Sequence, residues 1–292
     1  MVSFRSLGFI ALLGSLAVST KPGTSAHKNV PTLKCAGTSQ LGKNALLFTE
    51  DVESPKPFAT VHNLETGTEY GLTFVDSPVF QGKKAARFEL RKTDPLVKGG
   101  KRAEAVIMPA AENKDRWYAF AVYFPADDYP YDSQQEVISQ WRQRPDYHLG
   151  EDAGSPATAL RVKRDRFLLD VGFTAKQVAD EVDDETRKKM DLGPVTKNAW
   201  HEFVFHFIHS YQEDGLIEVW HNGEKVLTHK GGNIYNNVSY PKWKIGLYKA
   251  SFKNGKSQVD KRVIYFDNIR VGNEHATFAD MSPATGFGKD ER

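Results

Sequence analysis

The sequence lacks the features that form disulfide bonds, membrane spans or transition-metal sites. It has one cysteine, Cys35, in 292 residues, so no intramolecular disulfide can form and a large buried core must supply the stability. Beyond the N-terminus, no apolar run approaches the roughly 20 residues that span a bilayer, and a membrane partner is not expected. HxH and HExxH spacings are also missing, which argues against a transition-metal site.

An excess of charge of one sign is missing as well. The 39 lysines and arginines nearly balance the 37 aspartates and glutamates, whereas a nucleic-acid-binding domain usually carries a strongly basic face. We therefore expect no nucleic-acid partner, and any anionic partner must bind at a local basic patch. The sequence indicates no organic cofactor.

The N-terminus has the layout of a secretory signal peptide, with a basic start, an apolar stretch and a polar end. We expect cleavage after Ala26, with a cut nearer Ser19 as the alternative; the first makes 1–26 the signal peptide and 27–40 a linker. The remainder contains no visible internal boundary, which predicts one domain over 41–280 and a loosely ordered tail over 281–292. We expect the mature protein to be an extracellular or periplasmic monomer.

Most of the chain consists of short alternating runs. Period-2 alternation with β-branched and aromatic residues is typical of strands. The runs lie at 117–124, 136–142, 158–162, 166–171, 202–210, 216–227, 242–250 and 261–272. The Asn222-Gly223 pair predicts a tight hairpin within one of them. This pattern predicts an all-β fold, a two-sheet sandwich or β-jelly roll.

One segment, 178–193, has the pattern of a helix. Its acids come early and its bases late, and Gly193 ends it, as the helix dipole and a C-terminal glycine cap favour. Because it is polar nearly all round, we expect a short surface helix.

Polar side chains share strand faces at two places. In SQWRQ, Gln140 and Arg142 point one way and Trp141 the other, and burying the two polar groups without partners would cost about 1–3 kcal/mol each. A ligand-facing groove avoids that cost. In KIGLYK, Lys244 and Tyr248 share a face across a glycine, which leaves room for a ligand to approach the sheet.

Further upstream, Arg87 and Arg102 each precede a glutamate by two residues. Each is either part of a structural ion pair or a contributor to a basic groove floor that would concentrate a polyanion.

These motifs occur in a recognisable order. The series RxE, QWR, WHEFVFHF, GxIEVWxNGEKV, KxGxY and YFDNIRVG, from Phe48 to Gly272, resembles the heparin-lyase-type polysaccharide lyases, above all the glucuronan lyases. The resemblance implies a secreted enzyme with a concanavalin-like jelly roll and a concave groove, which cleaves an anionic uronic-acid polymer by β-elimination. Related alginate lyases carry QxH where this chain has Gln140 and Arg142, so a histidine base is in doubt there.

The resemblance also implies roles for single residues. Tyr248 would transfer the proton, while Gln140 and Arg102 would bind and neutralise the uronate carboxylate. A free phenol loses its proton only near pH 10, so the tyrosine needs neighbouring cations. The expected substrate-binding residues are Arg142, Lys244, Arg87 and Trp141.

Two further expectations concern a second base and a metal. His206 interrupts an aromatic alternation and is either a competing base or a satisfied wall residue. The resemblance also implies a structural calcium where the first and last strands meet, with Asp267 and Glu53 as the expected oxygen ligands.

Two alternative functions remain open. The segment EVDDE matches the ExDxE pattern of laminarinase-type jelly-roll glycosidases, in which Glu181, Asp183 and Glu185 would act on one strand face. The other alternative is a non-catalytic carbohydrate-binding module that stacks sugars on exposed aromatic rings. The rings available for stacking are those of Trp141, Trp243 and Tyr240.

Overall fold

The computed structural model describes residues 45–109, 111–179 and 187–282. The expected signal peptide and linker, and the residues Glu181, Asp183 and Glu185 of the glycosidase alternative, lie outside these ranges. The strands are β1 (Leu46–Glu50), β2 (Asn63–Thr66), β3 (Leu72–Val75), β4 (Ala85–Arg91), β5 (Arg102–Met108), β6 (Asp115–Tyr123), β7 (Glu136–Arg142), β8 (Thr158–Lys163), β9 (Arg166–Val171), β10 (Lys188–Pro194), β11 (Trp200–Ile208), β12 (Leu216–His221), β13 (Glu224–Lys230), β14 (Lys242–Tyr248) and β15 (Lys261–Gly272). Two short helices, α1 (Ala250–Lys253) and α2 (Phe278–Met281), follow β14 and β15.

The strands form two antiparallel sheets. The seven-stranded sheet has the order β10-β9-β8-β7-β14-β5-β2, and the eight-stranded sheet has the order β13-β12-β11-β6-β15-β4-β3, with β1 paired to β15. The first and last strands of the domain therefore lie side by side. This two-sheet sandwich confirms the predicted all-β jelly roll.

The core lies between the sheets and is rich in aromatic rings. Alternation along β11 sends Phe205 and Phe207 inward, where they meet Trp141 at centroid distances of 4.9 and 4.5 Å. Trp141 is 0% exposed and Trp243 is 1% exposed. The predicted contact of Trp141 with substrate is therefore wrong, because alternation places this ring opposite Gln140. Neither tryptophan can stack on a sugar.

The predicted hairpin is confirmed at Asn222-Gly223. Both residues have positive φ, at 50° and 83°, as a type I′ turn requires, and β12 and β13 pair on either side. The turn chemistry alone located this connection.

The helix predicted over 178–193 is wrong where the structure describes it. Residues Lys188–Pro194 form β10, which pairs with β9 at the edge of the seven-stranded sheet. An edge strand with mostly exposed residues lacks the inward apolar alternation of a central strand, so its polar pattern resembles that of a surface helix. Met281, predicted to lie in the tail, is 1% exposed and ends α2, which a capping box at Thr277 begins.

Candidate functional site

The face of the seven-stranded sheet that points away from the core carries most of the predicted site. We call it the polar face and define it by Arg102, Gln140, Arg142, Arg161 and Tyr248. Their strand neighbours, such as Leu160 and Leu247, are in the core, and alternation therefore turns these five side chains outward.

Register places Tyr248 in the middle of a basic row. Tyr248 pairs with Arg102 on one side and with Val137 on the other. Val137 in turn pairs with Arg161, so Arg161 lies two strands from the tyrosine, roughly 10 Å between Cα atoms. The phenol is thus flanked by arginines in both directions across the sheet.

The ring of Tyr248 is fitted closely to its neighbours. The guanidinium carbon of Arg102 lies 4.8 Å from the ring centroid, a cation–π distance. On the same side, a Cβ at Gly100 would lie 2.6 Å from Cε2 of Tyr248 and 2.9 Å from Nη2 of Arg102. Only a glycine at position 100 leaves this space for the ring.

Two buried carboxylates hold the cations beside the tyrosine. Glu65 accepts hydrogen bonds from Lys244 Nζ at 2.5 Å and from Lys98 Nζ at 2.8 Å. Arg102 donates to Glu65 at 3.1 Å and to Glu104 at 3.0 Å. Burial would raise the pKa of Glu65, but the ammonium groups of Lys244 and Lys98 outweigh it and lower the pKa to about 2.

Several predicted ligands of the substrate carboxylate therefore have internal partners. The side-chain amide of Gln140 donates to Glu104, and Gln140 is 3% exposed. Lys244 is 2% exposed and bound to Glu65, which leaves almost none of it accessible to a polymer. These groups hold the polar face together by binding each other.

Arg142 differs from its neighbours. Its guanidinium donates to the carbonyl of Gly154 at 2.6 Å and forms no ion pair with a carboxylate in the described ranges. Burial, and then the positive charge of Arg102, lower the pKa of Arg142. A partly exposed, uncompensated guanidinium is suited to an incoming carboxylate, which it can bind through two parallel hydrogen bonds.

The structure adds Arg161, which the sequence pattern alone did not single out. It donates to Asp170 at 2.8 Å, and Arg187 lies 3.4 Å from the same carboxylate. Burial lowers the pKa of Arg161, and Tyr248 is close enough to act on it electrostatically. The signal was present in ALRVK, where alternation puts Arg161 opposite Leu160 and Val162.

His206 is not part of this site. It lies on β11 in the eight-stranded sheet, on the face away from the core, stacked on Trp117 at a centroid distance of 4.2 Å. Its ring nitrogens lie 3.0 Å from Asp115 and 3.1 Å from Glu218. The prediction that His206 competes with Tyr248 as a base is wrong, because the whole sandwich separates them.

Arg87 is also on the other sheet. It lies on β4 and pairs with Glu89 at 2.5 Å, while Tyr265 is its neighbour across the strand pair. Its predicted role as a substrate ligand in the same groove is wrong. The alternative structural ion pair is what the structure contains.

The expected calcium ligands lie close to the pairing of β1 with β15. Asp267 is 0% exposed and accepts hydrogen bonds from the backbone N–H groups of Phe80 and Gln81 at 3.0 and 3.1 Å. Burial raises the pKa of Asp267 to about 6, and the charge of Glu53 adds to the rise. Glu53 itself accepts two backbone N–H groups. No group of three or more metal-ligating side chains occurs in the described parts of the chain.

The fold and the polar face together define a class, that of β-jelly-roll proteins with a tyrosine among arginines on one sheet face. A family model described as polysaccharide lyase matches residues 54–270. The chain belongs to the polysaccharide lyase family and is an enzyme that acts on a polysaccharide.

Solved structures with this fold include other lyases. Endo-beta-1,4-glucuronan lyase from the fungus Trichoderma reesei is similar with a TM-score of 0.67 and 21% identity, covering 82% of this chain and 99% of that one. The marine PL-14 alginate lyase from Aplysia kurodai has a TM-score of 0.53 and 12% identity, covering 78% and 99%. Comparison with curated proteins gives no match. Among the described residues, no helix is long and apolar enough to cross a membrane.

Proposed function

We propose that this enzyme cleaves β-1,4-linked glucuronan, a uronic-acid polymer, by β-elimination. The observation that carries the proposal is that one sheet face holds Tyr248 and Arg142, a guanidinium that forms no ion pair with a described carboxylate and whose pKa the tyrosine affects. Family membership supports a lyase, and the similarity in fold to the Trichoderma enzyme favours glucuronan among the polyuronates.

Arg142 is the proposed ligand of the uronate carboxylate. Removing the proton from C5 places negative charge on the adjacent carboxylate, and a fixed cation stabilises that charge most in the transition state. Preorganised donors of this kind contribute about 2.7–4 kcal/mol in oxyanion sites. Arg161 and Arg102 add positive potential along the same row and attract the polyanion.

Tyr248 is the proposed proton-transfer residue. Its phenolate takes the C5 proton, the C4–C5 double bond forms as the C4–O4 bond breaks, and the phenol returns the proton to O4. One residue close to both atoms can perform both transfers. Gln140 and Lys244 act indirectly, because their bonds to Glu104 and Glu65 fix the strands that carry Tyr248 and Arg142.

A panel of polyuronates tests the proposal. Glucuronan, alginate and heparin-like polymers are incubated with the enzyme, and the unsaturated uronate product is measured by its near-ultraviolet absorbance. We expect the highest rate on glucuronan and a loss of about 10²–10⁴-fold in kcat for Tyr248→Phe. New reducing ends without ultraviolet absorbance would indicate the hydrolase alternative instead. Full activity of Tyr248→Phe would contradict the mechanism.

Calcium is a second proposal. Asp267 is buried and Glu53 lies close enough to raise its pKa, so ionisation of both carboxylates would give a local excess of negative charge that a divalent cation would neutralise. Ca²⁺ takes 6–8 oxygen ligands, so Asp267 and Glu53 would need backbone carbonyls and water to complete the shell. Bound there, the ion would tie β1 and the loop after Glu53 to β15 and would have a structural role.

Secretion and assembly complete the proposal. We propose that the enzyme acts outside the cytoplasm as a monomer, because its polymeric substrate is met there and the polar face lies on a single chain. N-terminal sequencing of secreted protein and its mass in solution are the measurements. A secreted protein that retains its first residues, or a stable dimer, would contradict this.

A further inference from the structure

A buried ionic cluster lies at the end of the sandwich below the polar face. Lys249 is 0% exposed and Arg262 is 1% exposed. The ammonium of Lys249 lies 2.5 Å from Glu136 and 3.0 Å from Asp132. Arg262 lies 3.1 Å from Glu136 and covers the ring of Tyr129 at 4.3 Å. Two cations and two carboxylates thus balance in a volume shielded from water.

The cluster joins the ends of the two strands that carry the proposed chemistry. Lys249 directly follows Tyr248, the last residue of β14. Glu136 is the first residue of β7, and Arg142 is its last. The ion pair between Lys249 and Glu136 therefore fastens the tyrosine end of one strand to the start of its neighbour.

Backbone pairing with β7 is irregular next to the tyrosine. The register of β14 against β7 shifts between Ile245 and Tyr248, and Gly246 within this interval has φ of 120°. A bulge of this kind interrupts the ladder and bends the strand. Tyr248 lies just beyond the irregularity, so on the β7 side a second attachment adds to the pairing of Tyr248 with Arg102 of β5.

We propose that Lys249 is a positioning residue for Tyr248. Its ion pairs with Glu136 and Asp132 fix the backbone on the core side, while Gly100 and Arg102 limit the ring on the polar face. The inference rests on the proposed function, in which Tyr248 transfers the proton. A displacement of about 1 Å at a reacting group can cost about 10²-fold in rate.

The double variant Lys249→Met with Glu136→Gln tests the proposal. A single substitution would leave a buried charge unpaired, whereas the double variant leaves Asp132 opposite Arg262 at 3.8 Å and keeps the cluster balanced. We expect kcat on the preferred polyuronate to fall about 10²-fold, with KM within about 2-fold. Asp132→Asn is the second variant: it preserves shape, removes one partner of Lys249 and leaves Lys249 and Arg262 both paired with Glu136, and the expected fall in kcat is about 10-fold.

Two controls separate positioning from general destabilisation. Ile217→Ala truncates a core side chain of the eight-stranded sheet and should lower Tm while kcat at 25 °C stays within about 2-fold. Tyr248→Phe is measured in parallel. A folded double variant or Asp132→Asn with wild-type kcat overturns the role of Lys249 if Tyr248→Phe is inactive. Full activity of Tyr248→Phe instead overturns the proposed function.

Discussion

The outward faces of the two sheets are built from different interactions. On the polar face, charged side chains bind one another around Tyr248, and Glu65 alone contacts three cations. On the eight-stranded sheet, the outward face carries a row of stacked rings, in which Trp117 lies 4.2 Å from His206 and 5.6 Å from Trp220. Each face contains histidine, arginine or tyrosine side chains on strands with an alternating pattern, so residue type alone does not distinguish the two faces.

The difference fits the proposal that one face of the fold binds substrate and the other stabilises the fold. Stacked rings with their own ion pairs leave nothing for a ligand to complete, so this face contributes to stability. The polar face is incomplete at Arg142, whose charge no described carboxylate balances. A negatively charged substrate can supply the carboxylate that Arg142 lacks, whereas the neighbouring charged side chains already have partners.

Removal of the uncompensated charge at Arg142 should have the largest effect on the rate. We expect Arg142→Gln to lower kcat/KM by about 10²–10³-fold, because it removes the proposed carboxylate ligand. Arg166→Gln is the matched control, since Arg166 pairs with Asp191 at the exposed edge of the same sheet, and it should stay within about 2-fold. Initial rates of ultraviolet-absorbing product measure both. Equal effects of the two substitutions would contradict the special role of Arg142.

Crowding the tyrosine should have the next largest effect. Gly100→Ala places a methyl group 2.6 Å from the Tyr248 ring, and we expect kcat to fall about 10²-fold with little change in Tm. Gly67→Ala is similarly crowded, against Pro95 at 2.9 Å, and does not contact the tyrosine. If both variants keep wild-type kcat, the ring position does not limit the reaction.

The carboxylates near β1 should affect stability rather than rate. An acid with a raised folded pKa stabilises the fold below its unfolded value and loses that contribution as the pH rises through the folded value. For Asp267, from 3.8 to about 6, the loss is roughly 3 kcal/mol. Without calcium, the Tm of wild type should therefore fall from pH 4 to pH 7 relative to Asp267→Asn.

Added Ca²⁺ should reverse this loss, because it binds the ionised carboxylate. We expect millimolar Ca²⁺ to raise Tm at pH 8 and to have little effect at pH 4.5, measured by thermal unfolding against EDTA. The activity of folded enzyme at 25 °C should stay the same. An identical Tm with Ca²⁺ and with EDTA at pH 8 would contradict the proposed calcium site.

The smallest effect on rate is expected at His206. His206→Asn should leave kcat within about 2-fold while Tm falls, since the stack on Trp117 and the contacts to Asp115 and Glu218 are lost. A tenfold loss of kcat without a change in Tm would show that the eight-stranded sheet takes part in the chemistry.

Alternation predicted most strands and the partition of side chains between their two faces. Alternation correctly placed Gln140 and Arg142 on one face of β7 and Trp141 on the other, because the period of two is a property of a single strand. It could not assign Arg87 and His206 to the correct sheet, since which strands share a sheet depends on long-range pairing. The edge strand β10 was missed for a related reason, because few of its side chains face the core.

The carboxylate partners of the basic residues in the site also could not be predicted from local sequence patterns. Lys244 and Arg102 were expected to bind substrate, but Glu65 on β2 is brought to them by pairing across β5. Only the folded sheet shows that each of these cations already has a carboxylate partner. Whether Arg142 is free to bind a substrate carboxylate therefore depends on the tertiary structure. Its residue type and the strand face on which it lies follow from the sequence.

The position of β15 has a consequence for how the chain is made. This strand lies between β6 and β4 in the eight-stranded sheet and also pairs with β1, yet it is the last of the described strands in chain order. Until Gly272 has emerged, β4 and β6 have no strand to bridge them, whereas the seven-stranded sheet needs nothing beyond Tyr248. Assembly of this sheet thus waits until β15 has been made, and until then a nascent chain has a gap in the middle of the sheet.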